Sequence, residues 1–323
     1  MADELGTTRQ GDLAASPGSV GQHEASPILS TTRGTDSHSG PRIVNAMSVD
    51  VEDYYQVSAL ACRVRREDWD GLESRVVRNT ENVLRLFAEA GVSATFFTLG
   101  CVAERHPSLI RRIVDAGHEL ASHGYAHWRV SDQAPAAFAE DIRRTKALLE
   151  DVGGVPVRGF RAASFSIGAN TPWAFEILAD EGYAYSSSVY PIRHDHYGLP
   201  QAPRFAFKPV QGAQFLEIPI STVSLLGRKL PCGGGGYFRF LPYALSRWSL
   251  QRVNRQDRQP CIFYWHPWEI DVEQPRVQGL PFRSRFRHYV NLDRMEGRLQ
   301  RLLRDLRWDR IDRLFLAGGA AGE

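Results

Sequence analysis

Two runs decide how this chain folds: Ala94-Thr95-Phe96-Phe97-Thr98-Leu99 and, after a helical interval, His118-Glu119-Leu120-Ala121-Ser122-His123-Gly124-Tyr125-Ala126-His127. The first is β-branched and aromatic, the composition of a buried strand. Between the runs, Pro107 to Ala116 has helical periodicity and stops at Gly117, a strong helix terminator. Residues 118–122 then read as a second strand that delivers His123. Strand, helix, strand in so short a space means a parallel pair with the helix packed outside.

The same alternation continues in both directions. Upstream, the apolar run Ile43 to Val49 reads as a strand ending at Asp50, and Val76, Val83, Leu84, Leu86 and Phe87 mark a helix over 76–90 closed by Gly91. Downstream, residues 134–151 read as a helix, 159–161 as a short strand and 171–181 as a helix ending at Gly182. The fold class is therefore α/β with a parallel sheet. Its active site belongs at the carboxyl ends of the strands, where Asp50, His123 and Arg161 fall. Beyond about residue 205 the pattern changes: a strand over 215–220, the glycine run Gly233 to Gly236, a helix over 241–254 and a strand over 261–265. An amphipathic helix over 291–306 is expected to close the chain. Residues 1–41, rich in Ser, Gly, Thr, Asp and Pro, carry too little apolar surface to offset their ordering entropy and are expected to be disordered.

Composition excludes several function classes. Of 323 residues, 39 are Lys or Arg and 37 Asp or Glu, a net charge of +2. That balance argues against nucleic-acid binding. The arginine-rich tail is interrupted by acids and apolar residues and reads as a solvated helix face. Four cysteines (Cys62, Cys101, Cys232 and Cys261) have neither CxxC spacing nor the density of a disulfide framework, so reduced thiols are expected. No run approaches the roughly 18 apolar residues of a membrane span, and the first residues lack a secretory pattern. These points give the expectation of a cytoplasmic protein.

The residues that carry chemistry cluster at the expected strand ends. His123 and His127 have the i, i+4 spacing with which two imidazoles can hold one metal from a turn or tight loop. Asp50, Glu52 and Asp53 follow the first strand, where one carboxylate can bind a metal while another takes a proton from water. An acidic triplet alone reads more simply as a solvated strand end. Arg161 can hold a catalytic acid ionised. His266, after the strand Cys261 to Trp265, can protonate a leaving amine, or merely stack on Trp268 or bond Glu269. His118, inside a strand pattern, reads as structural. The glycine run lacks the GKS/T of a phosphate loop and suits a lid or a tight backbone approach.

The set Ser48-Val49-Asp50, Ala94-Thr95-Phe96-Phe97, Ser122-His123 to His127, Gly159-Phe160-Arg161 and Tyr264-Trp265-His266 resembles, in order, the five motifs of the polysaccharide deacetylases of the NodB-homology group, carbohydrate esterase family 4. The strings Asp50 to Gln56, Gly233 to Phe238, His266 to Asp271 and Arg285 to Tyr289 resemble the subfamily associated with exopolysaccharide loci and the PEP-CTERM/exosortase system. The resemblance covers about residues 43 to 315. It implies a distorted (β/α) barrel with fewer than eight strands, spanning 42–270 with an insertion about 190–245, and a helical C-terminal extension over 271–323. It implies metal-dependent N-deacetylation of an N-acetylated glycan, with Zn²⁺ the first expectation and Co²⁺, Ni²⁺ or Mn²⁺ the alternatives. Asp50 would be the base, Arg161 its orienting partner, His266 the acid, and His123 and His127 metal ligands. Glu52 and Asp53 both stand as the third ligand, Asp53 preferred because Asp is the usual residue type. Ser186 stands where the family supplies an Asp, and Ala162-Ala163-Ser164 where it supplies a Pro. A backbone N–H near Tyr125 or Tyr190 would hold the oxyanion, and Trp128, Trp173, Trp265 and Trp268 are the candidate sugar-stacking faces. The rival readings are a hydrolase of a non-sugar amide on the same fold, allantoinase-like, and a glycan-binding relative without turnover.

Overall fold

β1 (Val44–Val51) shows how the chain sorts its side chains. Ala46 joins one apolar cluster with Phe97, Ala121, Ile262 and Tyr264, while Met47 and Val49 join another with Phe96, Leu120, Phe263 and Trp265. Alternate residues of a strand face opposite sides, so the first cluster fills the inside of a curled sheet and the second its outside, under the helices. A computed structural model describes residues 43–194 and 197–316. The expected disorder of residues 1–41 lies outside them.

Along the chain, β1 is followed by α1 (Val76–Ala90), β2 (Thr95–Thr98), α2 (Gly100–Arg105), α3 (Pro107–Asp115), β3 (Glu119–Ser122), α4 (Pro135–Gly153), β4 (Gly159–Phe160), α5 (Trp173–Asp180), β5 (Tyr185–Ser186) and β6 (Leu216–Glu217). Then come the hairpin β7 (Thr222–Leu225) and β8 (Arg228–Pro231), α6 (Gly235–Phe240), α7 (Tyr243–Arg252), β9 (Ile262–Trp265), α8 (Phe282–Tyr289), α9 (Leu292–Asp305), β10 (Arg307–Asp309) and α10 (Ile311–Phe315). β1 through β6 pair in sequence order, all parallel, and β9 pairs with β1. The sheet curls so that the stretches after β6 and before α6 meet β9: Ser221 N–H donates to the Ile262 carbonyl (3.3 Å) and Tyr264 N–H to the Gly233 carbonyl (2.8 Å). The fold is a distorted α/β barrel.

α1 has the bounds its periodicity predicts, with Gly91 at φ 63°, a left-handed position that Gly takes without the Cβ clash other residues meet. The C-terminal end differs from expectation. The helix expected to close the chain is α9, but β10 follows it and pairs parallel with β1, so the extension is not helical throughout. Trp308 decides this: its ring packs 6.0 Å from Phe263 in the core and its indole N–H donates to the Leu302 carbonyl at 3.1 Å. A three-residue strand is too short to announce itself by periodicity. No helix among the described residues is long and apolar enough to cross a membrane.

Candidate active site

Parallel strands point their carboxyl ends the same way, and here they carry Asp50 and Glu52 (β1), His123 (β3), Arg161 (β4) and His266 (β9) to one end of the barrel. Arg161 is fully buried and makes four hydrogen bonds with its guanidinium. Nη1 donates to Asp50 Oδ1 (2.6 Å) and Ser48 Oγ (2.9 Å), Nε to the Ser187 carbonyl (2.9 Å) and Nη2 to Ser187 Oγ (2.9 Å). A buried charge held on every side orients its partner firmly. The Arg161 carbonyl accepts from His123 Nδ1 at 2.8 Å. A carbonyl only accepts, so the His123 proton sits on Nδ1 and the Nε2 lone pair is free for a cation.

Glu52, His123 and His127 each offer a ligand atom, and these atoms lie within 4.8 Å of one another. All three residues are buried. Glu52 Oε2 has no hydrogen-bond partner and stands 3.1 Å from His127 Nε2. Burial pushes the Glu52 carboxyl up to about 7, the nearby His266 pulling the other way. Burial likewise pushes both imidazoles down, His127 well below the ordinary range. An unpartnered buried carboxylate oxygen beside two buried neutral imidazoles is costly alone and fits a divalent cation, since one carboxylate with two histidines is a common donor set. The loop that brings in His127 is itself held. Its backbone is left-handed (φ 53°), and Arg66 donates to the carbonyls of Ala126 (2.9 Å) and His127 (2.8 Å).

Asp53, the preferred third ligand, is not in this cluster. Its Oδ2 accepts from Ser74 Oγ (2.8 Å), Arg75 N–H (2.8 Å) and Val76 N–H (3.2 Å) at the start of α1, and Oδ1 accepts from Tyr54 N–H at 3.0 Å. The physical reason is strand parity: Glu52 continues the face of Ser48 and Asp50, and Asp53 takes the opposite side, toward the helix whose first N–H groups need acceptors.

His266 is held by Glu269, the bonding partner the sequence offered for it, and through Glu269 by Arg239, which sequence reasoning did not place in the site. Its Nδ1 bonds Glu269 Oε1 at 2.8 Å, Glu269 Oε2 accepts from Arg239 Nε at 2.6 Å, and Arg239 donates to the carbonyls of Arg287, His288 and Val290. Burial opposes charge on His266, but Glu52, Glu269 and Asp50 outweigh it and raise the imidazole to about 9. Burial also opposes the Glu269 carboxylate, yet Arg239 and His266 hold it down to about 2. The His266 ring stacks on Trp268 (5.1 Å, 19°), which stacks in turn on His288 (4.3 Å, 16°). His266 Nε2 then lies 3.4 Å from Glu52 Oε1 and 3.9 Å from Asp50 Oδ2. The glycine run makes room for this chain of charges. A Cβ on Gly235 would lie 2.3 Å from Glu269 Oε1, so the run serves a tight backbone approach. The sequence signal for Glu269 was its place three residues after His266 across Pro267, the spacing of a capping box.

Other candidates fall elsewhere. Ser186 Oγ pairs with Ser188 Oγ (2.7 Å), and it is Ser187 that reaches Arg161. The Tyr125 N–H is directed at the Asp141 carboxylate (3.3 and 3.4 Å). Trp265 is in the core, Trp173 packs on Phe138, and Trp128 lies under the Arg66 guanidinium (3.6 Å). Of the four tryptophans, Trp268 lines the cavity that opens from the site, about 630 Å³ in volume. His118 is structural: its Nδ1 accepts from Ala94 N–H at 3.1 Å.

Residues 70–185 match the family model described as polysaccharide deacetylase. This segment, which holds His123, His127 and Arg161, is similar to that family over about a third of the chain. Residues 187–316 match a domain of unknown function, DUF3473, and hold Arg239, His266 and Glu269. A chitooligosaccharide deacetylase of Bradyrhizobium sp. (strain ANU 289) is 28% identical over 111 residues, 34% of this chain and 48% of that protein. A peptidoglycan-N-acetylglucosamine deacetylase of Bacillus cereus is 30% identical over 98 residues, 30% of this chain and 36% of that protein. The aligned segments thus span less than half of either relative. Among solved structures, a candidate polysaccharide deacetylase from Mycobacterium smegmatis superposes with TM-score 0.54 at 19% identity, covering 83% of this chain and 87% of that one. At that identity the likeness is one of fold.

Proposed function

We propose that the protein is a divalent-cation-dependent hydrolase that removes N-acetyl groups from an N-acetylated glycan and releases acetate. The observation that carries this is the buried Glu52–His123–His127 cluster, with its unpartnered carboxylate oxygen, beside Asp50 and His266. The names of relatives the chain matches, deacetylases of chitooligosaccharide or peptidoglycan, support the same chemistry. The strings that resemble the exopolysaccharide-associated subfamily support a role in exopolysaccharide biosynthesis.

Glu52, His123 and His127 would hold the cation, with Zn²⁺ the first expectation. Once bound, a divalent cation polarises an amide carbonyl and acidifies water. The chain's own residues divide the proton work. Asp50, with Oδ1 fixed by Arg161, takes a proton from water through the oxygen facing His266. His266, kept cationic by Glu269, donates from Nε2 to the departing amine. Arg239 keeps Glu269 ionised, so that it holds the proton on the ring without taking it.

The test is acetate release from N-acetylglucosamine oligomers and a native exopolysaccharide, before and after chelation, with zinc or cobalt added back. Acetate that vanishes with chelator and returns with metal is the expected result. Release from no glycan by the metal-loaded protein would overturn the proposal and favour the non-sugar amide or binding without turnover.

A further inference from the structure

The region of unknown function does more than hold His266: it walls the cavity with aromatic rings. Phe240 at the end of α6 and Phe286 on α8 line the same cavity as Asp50 and His266. Their rings meet edge to face at 5.9 Å, and Phe286 is stacked in turn on Phe282 at 6.2 Å and 22°. These large apolar side chains are 57%, 43% and 71% exposed for Phe240, Phe286 and Phe282. Three contiguous exposed phenylalanines mark a binding surface rather than scattered apolar residues. Their order decides what binds. Phe240 and Phe286 line the cavity, and Phe282, which does not, stacks on Phe286, so the three rings continue the apolar wall past the cavity lining. A sugar ring has apolar C–H faces that such rings can cover while its hydroxyls stay in water.

We propose that α6 and α8 form a track for the glycan chain beyond the acetylated unit, with further sugar units stacking on Phe286 and then Phe282. This rests on the deacetylase reading and deepens it: the substrate is an oligomer or polymer, and the region of unknown function selects for its length. A membrane surface would also welcome exposed phenylalanines, but it would not explain why two of them line the catalytic cavity.

The test uses the full chain with N-acetylglucosamine monomer, trimer and hexamer. Both kcat/KM on the metal-loaded protein and Kd by calorimetry on the chelated protein are measured. Wild type should favour hexamer over monomer in both. Phe286→Ala and Phe282→Ala, at exposed positions, should cut the hexamer-to-monomer ratio about tenfold, the worth of covering half a phenylalanine side chain. If no oligomer is hydrolysed, the function proposal fails; length-dependent binding that the variants lose would still support the track. Equal binding of monomer and hexamer by wild type, or an unchanged ratio in both variants, would overturn it. So would Phe282-dependent binding to phosphatidylglycerol vesicles without any dependence on glycan length.

Discussion

Glu52 and Asp53 are adjacent acids with opposite expected roles, and substituting each by its amide separates them. In Glu52→Gln the cluster loses its one carboxylate, so zinc affinity should fall more than 100-fold, beyond the 10–100-fold typical of supporting residues. The metal-free protein should meanwhile become more stable, by an amount set by pH. Burial raises the Glu52 carboxyl from 4.5 to about 7. A raised folded-state value contributes stability fully present below the unfolded value and lost as pH rises through the folded one. The metal-free wild type therefore gives up about 3 kcal/mol between pH of about 4 and about 8. Glutamine gives up none of this. Glu52→Gln should gain on wild type by about 3 kcal/mol over that range, roughly 6 °C in melting temperature. Zinc, which should raise the wild-type melting temperature, should leave the variant unmoved. In Asp53→Asn the carboxylate that accepts from Ser74, Arg75 and Val76 is replaced. Both carboxylate oxygens accept from donors, so the amide NH2 must face one of them. The fold should lose about 1–2 kcal/mol through an unsatisfied buried donor, with zinc affinity unchanged. Calorimetry and thermal melts with and without zinc read all four quantities. Normal zinc binding by Glu52→Gln with loss in Asp53→Asn would refute the assignment.

Two further perturbations test the charges around the site and the core. Glu269→Gln removes the carboxylate that helps hold His266 near 9, so the alkaline limb of kcat/KM should move down by roughly one pH unit or more; an unmoved limb in a folded variant would remove Glu269 from the proton work. His118 is pushed down to about 4, by burial first and then by Arg310 and Arg313. Its neutral form contributes stability that is present above the ordinary value of 6.5 and lost as pH falls toward 4. The advantage of wild type over His118→Gln in denaturant melts should thus shrink by about 3 kcal/mol from about pH 7 to about pH 4, and a constant difference would show that His118 is not held neutral.

Much of the barrel was legible because its elements announce themselves locally. The period of α1, the β-branched run of β2 and the glycine stops after the helices are written in neighbouring residues, and the parallel order of the strands follows from their alternation with helices. The strand ends then placed Asp50, His123, Arg161 and His266 together. Where legibility failed, the deciding information was not local. The preference for Asp53 came from residue type, whereas strand parity, equally present in the sequence, pointed to Glu52. Reading the geometry of β1 ahead of the family's habit would have chosen the residue that meets the histidines.

Arg239 is the harder case. It is one arginine in an arginine-rich half, and Glu269 lies 30 positions away. What makes Arg239 special is burial: it is 1% exposed, its charge is met by Glu269, and three more of its donors go to carbonyls around the end of α8. A buried guanidinium is costly unless every donor is used, so the same contacts that stabilise the turn after α8 also fix Glu269, and through it the ring of His266. The His266 imidazole and the aromatic wall thereby share one support. A change that loosens α8 should therefore disturb His266 as well as the cavity rim, and on the proposed function it should lower activity as well as stability.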